Sequence, residues 1–135
     1  MIETTRRVTA SALLLFVIGL VACTPAPPAT FTYSGDWSGS MTDSLLGAGT
    51  LSFTLVEDGD IVTGTWMVVF AALSESGEAT GVVTEDGAAI EVVFWTSTDC
   101  SYEMTGTRSE STVTGTYASV DCLPATTGTV VATKE

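Results

Sequence analysis

The chain reads as an all-β protein, an eight-stranded antiparallel up-and-down barrel, and three observations lead there. From residue 31 onward β-branched and aromatic residues dominate, with apolar and polar positions alternating. No stretch in that region keeps a 3.6-residue apolar period over three turns. A glycine falls inside most of the strand-like runs, where it weakens a strand unless the chain must bend or approach another backbone, as a small curved barrel requires. A β-sandwich with glycines at its corners is the alternative.

The pattern predicts strands near 32–42, 48–57, 60–71, 78–85, 88–97, 99–108, 111–120 and 126–133. Asp58-Gly59 and Asp86-Gly87 are the strongest hairpin turns, because Asp-Gly supplies the positive φ angles that tight turns need. Arg108–Ser111 and Ser74-Glu75-Ser76-Gly77 read as further polar turns. Asp43–Gly49 reads as a looser loop whose Leu45 and Leu46 can fold over an opening. Alternation turns Leu51, Phe53 and Leu55 inward on the second strand, and Ile90, Val92 and Phe94 on the fifth. On the third strand it sets Val62, Trp66, Val68 and Phe70 against Thr63, Thr65 and Met67.

Pairing strands six and seven as a hairpin puts Gly106 near Gly115 by its turn, and Cys100 near Cys122 at its open end. A bridge there is within reach, and a loop of that size would contribute about 3 kcal/mol. Two buried free thiols are the other possibility for this pair.

The amino-terminal stretch is of another kind. Arg6 and Arg7 precede an apolar run, Leu13 to Ala22, that ends at Cys23. From Val8 to Ala22 a helix would measure about 22 Å, short of the roughly 30 Å of a hydrocarbon core, which argues for an export leader over a membrane span. Leu20-Val21-Ala22-Cys23 resembles the lipobox of bacterial lipoproteins. That resemblance implies removal of residues 1–22, acyl chains on the Cys23 sulfur and new amino terminus, and anchoring in a bilayer through those chains. The expected location is the cell envelope, on a bacterial membrane facing the periplasm or the exterior. Residues 23–30 then form a proline-rich tether, with Pro25, Pro27 and Pro28 favouring extended geometry, and residues 31–135 the barrel domain.

Without the leader, every acid but Glu3 remains against Arg108 and Lys134, a net charge near −13. Such a surface repels phosphate backbones, so nucleic acid is not an expected partner.

Gly35-Asp36-Trp37-Ser38-Gly39 carries a G-x-W, as in lipocalin-like and avidin-like (calycin) barrels. Val62-Thr63-Gly64-Thr65-Trp66 and Val113-Thr114-Gly115-Thr116-Tyr117 are similar to the T-G-T-[WY] strands of avidin-like proteins. The resemblance implies a calycin layout in which Trp37 packs across the closed end. No ligand carries over with it.

Chemistry is sparse. The chain has no histidine, which removes Ser-His-Asp and Cys-His systems and the common zinc sites. Glu57-Asp58-Gly59-Asp60 gathers acids but lacks calcium-loop spacing, and its turn alone explains it. Asp36 reads as a rim carboxylate. No enzyme activity, metal or cofactor is expected. The sequence points to binding, with two readings. In one, a lipocalin-like carrier or sensor encloses a small apolar ligand, lined by Trp66, Phe94, Phe53, Tyr102 and Met104. In the other, an envelope interaction module or inhibitor of a secreted enzyme presents loops, or an exposed Trp95 and Tyr117, to a protein.

Overall fold

The structure, a computed structural model, describes residues 30–96 and 100–135. The leader, Cys23 and all of the tether but Thr30 lie outside these residues. Eight strands follow one another: β1 (Gly35–Asp43), β2 (Gly47–Asp58), β3 (Ile61–Phe70), β4 (Ser74–Val83), β5 (Ala89–Trp95), β6 (Ser101–Ser109), β7 (Thr112–Val120) and β8 (Thr127–Lys134). Each pairs antiparallel with its predecessor, and β8 returns to β1, with Met41 opposite Val130. The sheet closes on itself, so the barrel holds and the sandwich does not.

The inward faces follow the alternation. Leu51, Phe53 and Leu55, then Val62, Trp66, Val68 and Phe70, then Ile90, Val92 and Phe94 are all buried. The outer wall is rich in threonine, with Thr54 opposite Thr65, Thr63 opposite Thr80, and Thr105 opposite Thr116, which in turn faces Thr129. Threonine suits a solvated strand face, since its branched Cβ favours extended backbone and its hydroxyl meets water.

Both Asp-Gly turns form as read, with Gly59 and Gly87 each at φ 66°. The hairpin of β6 and β7 has Gly106 opposite Gly115, and just beyond its open end Cys100 and Cys122 are joined, their Cα atoms 4.9 Å apart. Four expectations need correction. Asp43–Gly49 is not a loose loop: Asp43 pairs with Gly47, and only residues 44–46 make the turn. Ser74–Gly77 is not a turn but the start of β4, paired with β3 through Gly77 and Trp66. The reversal falls earlier, where Phe70 N–H donates to the Leu73 carbonyl at 2.8 Å. Glycine at position 77 answers close approach instead of a bend: a Cβ there would lie 1.7 Å from the Trp95 carbonyl oxygen, itself the acceptor of the Trp66 indole N–H at 3.1 Å. Residues 31–34 precede β1 as a strap, where a strand from residue 32 was expected. Tyr117 points inward and is 3% exposed, so it forms no surface patch with Trp95.

That strap seals one end. Trp37 stacks on Tyr33 with centroids 5.7 Å apart and donates its indole N–H to the Tyr33 carbonyl at 2.8 Å. Phe31 meets both rings edge-on, and the Arg108 guanidinium lies 4.1 Å above its face. Tyr33 Oη and Arg108 Nε both donate to the Gly87 carbonyl, and Lys134 Nζ donates to Thr32 O at 2.7 Å. Glu57 takes the Tyr33 N–H and the Thr32 hydroxyl. Trp37 thus fills the closed end, the place its motif implied.

Replacing Gly77 by alanine forces β4 away from the Trp95 carbonyl. The variant is expected to lose about 2 kcal/mol, read as a lower urea midpoint with an unchanged slope.

Candidate binding site at the mouth of the barrel

The five residues expected to line a ligand cavity do come together, as core. Phe53 packs on Phe94 at 5.2 Å between centroids, Trp66 on Phe94 at 5.5 Å, and Trp66 meets Tyr102 edge-on at 6.0 Å. Met104 is buried beside them, opposite Tyr117 and Val92. The barrel interior retains a void of only about 20 Å³, bordered by Phe53, Leu55, Ile90, Met104 and Val113. Eight strands enclose a space just wide enough for side chains to fill, and here they fill it.

At the opposite end from the strap the barrel opens. The turn between β1 and β2 is built by Asp43, whose Oδ1 accepts the N–H groups of Leu45 at 2.8 Å and Leu46 at 3.0 Å. An aspartate that binds the backbone two and three residues ahead makes a turn in place of further strand. Its Oδ2 accepts the Tyr117 hydroxyl at 2.5 Å, across the barrel from β7. Next to this pair, Tyr102 Oη donates to Glu75 Oε2 at 2.9 Å, and the two tyrosine rings meet edge-on at 5.6 Å. Two carboxylates and two tyrosines thus floor the opening.

Their ionisation follows from this packing. Burial, then the hydrogen bond to Asp43 and the charges around it, push the Tyr117 hydroxyl well above the usual phenol range; burial and Glu75 do the same for Tyr102. Burial works to raise Asp43, but hydrogen bonds from Tyr117 and the Leu45 and Leu46 N–H groups outweigh it and hold the carboxyl below its ordinary value. Asp43 is therefore a buried anion, satisfied by donors that carry no charge.

Above this floor lies a cleft of about 710 Å³. Leu45 and Leu46 reach it from the β1–β2 turn, Leu73 from the β3–β4 turn, and Leu123 and Pro124 from the segment before β8. Leu45 is 58% exposed, Leu73 39% and Leu123 98%. Glu75 and Asp121 supply the charge, and the Cys100–Cys122 bridge forms part of the wall, tying the β7–β8 connection to the start of β6. This crown combines exposed leucines with a concave shape at a loop end of the barrel.

Of the residues singled out in the sequence, Tyr102, Cys100, Cys122, Leu45 and Leu46 meet at this mouth, while Trp66, Phe94, Phe53 and Met104 stay in the core. Trp95 stands 52% exposed on the outer wall, apart from Tyr117. Asp36 is an exposed carboxylate that accepts from Thr54 Oγ1 at 2.7 Å. Among the described residues no group of three or more His, Cys, Asp or Glu is placed to hold a metal. Sequence reasoning passed over Asp43, Glu75, Asp121, Leu73 and Leu123. Asp43 carried a usable signal, an aspartate two and three residues before an apolar pair; the others gather only through closure.

No family model and no curated protein matches this chain.

The floor sets a pH dependence. Tyr117 is neutral in the folded barrel at a pH where the unfolded phenol, near 10.0, ionises, so its contribution is whole below pH 10 and is lost as pH climbs toward the folded value. Asp43, depressed from 3.8, contributes above that pH and loses its contribution as pH falls through the folded value. Denaturant midpoints from pH 3 to 12 are expected to show a plateau with a fall at each end. Tyr117→Phe lowers the plateau by about 1–3 kcal/mol, because Asp43 loses its donor, and makes the alkaline fall shallower.

Proposed function

We propose that this protein is a lipid-anchored component of a bacterial cell envelope that acts by binding, and that it binds through the crown at the mouth of its barrel. The observation that carries the reading is the pairing of a filled interior with three exposed leucines, from three separate connections, around one cleft. A carrier that encloses a small apolar molecule calls for roughly 300 Å³ or more of cavity, far beyond the 20 Å³ void inside this barrel. The crown instead offers separated apolar knobs around a polar floor, a surface suited to a protein partner. Of the two binding readings, the interaction module is the one favoured, with inhibition of a secreted enzyme as one form it takes.

The proposed anchor agrees with this polarity. Phe31 lies at the sealed end. An anchor upstream of it would leave the crown, at the opposite end, facing away from the bilayer. Strands of nine residues, at about 3.3 Å per residue and tilted by about 40°, lift the mouth roughly 20 to 25 Å above the strap.

Two measurements test the proposal. Mass spectrometry of protein recovered from a bacterial membrane is expected to find an acylated Cys23 as the first residue, and Cys23→Ala to keep the leader uncut. For the binding surface, the triple variant Leu45→Ser, Leu73→Ser, Leu123→Ser is expected to stay folded and to lose no more than about 1–2 kcal/mol, since Leu45 and Leu123 are mostly exposed and Leu73 partly so. It is also expected to abolish the capture of an envelope protein that the wild type retains. A wall variant, Val56→Ser with Val82→Ser, is expected to bind as the wild type does. Equal capture by the crown variant defeats the assignment.

A further inference from the structure

The crown has a chemical bias beyond its leucines. Glu75 and Asp121 line the cleft, Asp43 lies as a buried anion in the floor, and no lysine or arginine borders the opening. Both bases outside the leader are engaged at the far end, Arg108 over the Phe31 ring and Lys134 on the Thr32 carbonyl. A domain with net charge near −13 therefore presents an apolar cleft whose only formal charges are negative.

We infer that the crown receives a lysine or arginine side chain flanked by apolar residues, on an exposed segment of a basic protein. The cationic head meets Glu75 and Asp121 at the cleft, while its apolar neighbours pack on Leu45, Leu73 and Leu123. Charge also selects the partner at a distance: an acidic domain steers basic proteins toward itself and repels acidic ones and anionic headgroups. The Cys100–Cys122 bridge holds one wall of the cleft in place before the partner arrives, which lowers the ordering cost of binding. This inference rests on the crown being the binding surface, and the experiment separates the two claims.

The probes are three capped tripeptides, acetyl-Leu-Lys-Leu-amide and its Gln and Glu counterparts, titrated into the full chain held in zwitterionic detergent. The readout is the methyl NMR shifts of Leu45, Leu73 and Leu123, with Val56, Val69 and Val82 of the outer wall as reference positions. The expected result is saturable movement of the three crown leucines with the lysine peptide, about fivefold weaker binding of the glutamine peptide, and weaker still for the glutamate peptide. Glu75→Gln keeps an acceptor for Tyr102, so it leaves the floor intact. That variant and Asp121→Asn are each expected to erase most of the preference for lysine while leaving the glutamine peptide unchanged. Crown shifts that are alike for all three peptides overturn the cation and leave the crown standing. Shifts confined to the wall valines overturn both. If a spin label carried on a zwitterionic lipid broadens the crown methyls in bilayer discs, a membrane covers the leucines and the basic partner is wrong.

Discussion

Closure of the sheet through β8 and β1 is the constraint from which the rest of the molecule follows. Among the described residues it leaves no strand edge unpaired, so this sheet offers no edge for a peptide to extend. It also sets the bore. With eight strands the inward side chains of opposite walls meet, and large residues such as Trp66, Phe94 and Tyr102 leave nothing between them but a 20 Å³ void. A closed cylinder with so small a void meets a partner by its outer wall or its two ends. The wall mixes threonine with exposed apolar residues such as Ile61 opposite Val82, but it is convex, and the concave surfaces lie at the ends.

The two ends are built for different purposes. At the sealed end the groups around the strap are bonded internally: Glu57 to the strap's N–H and hydroxyl, Arg108 and Tyr33 to the Gly87 carbonyl, Lys134 to Thr32. Phe31 and Trp37, which would otherwise be an aromatic patch, are covered by each other and by the guanidinium. At the mouth the same economy applies to the floor, where each carboxylate takes a tyrosine hydroxyl, yet the leucines above it are left uncovered. Burying one leucine is worth about 1.5–3 kcal/mol, so Leu45 and Leu123, mostly in water, and Leu73, partly so, represent burial the fold forgoes. A disulfide alongside them ties the connection carrying Leu123 to the start of β6.

How much of this was legible in the sequence depends on whether the signal was local. Strand faces were, because a period of two needs only neighbours: Leu51, Phe53 and Leu55 could be assigned inward without knowing what they meet. The Asp-Gly turns were, since their φ requirement is intrinsic. The hairpin holding Cys100 beside Cys122 was, because one register fixed it. Tyr117 was not, since a tyrosine serves equally as a core ring or a surface ring, and its buried place depends on Asp43, 74 residues away. Gly77 misled for a related reason. Ser-Glu-Ser-Gly has turn composition, and only the Trp95 carbonyl pressed against that position explains a glycine in mid-strand. The mouth was the least legible part, as Leu45, Leu73 and Leu123 belong to three connections that only closure gathers.

The same logic bears on how such a cleft becomes specific. Hydrophobic knobs alone bind many surfaces, and acidic charge alone attracts any base, so neither selects well by itself. Placed together around one cleft they impose a joint condition, apolar neighbours at fixed spacing about a cation, and a partner that meets only half of it leaves either a leucine in water or a carboxylate facing hydrocarbon. The second failure is the costlier, because a desolvated and unpaired charge is penalised more heavily than an unburied methyl group. Discrimination at the proposed crown would therefore come mainly from Glu75 and Asp121 and affinity mainly from the leucines.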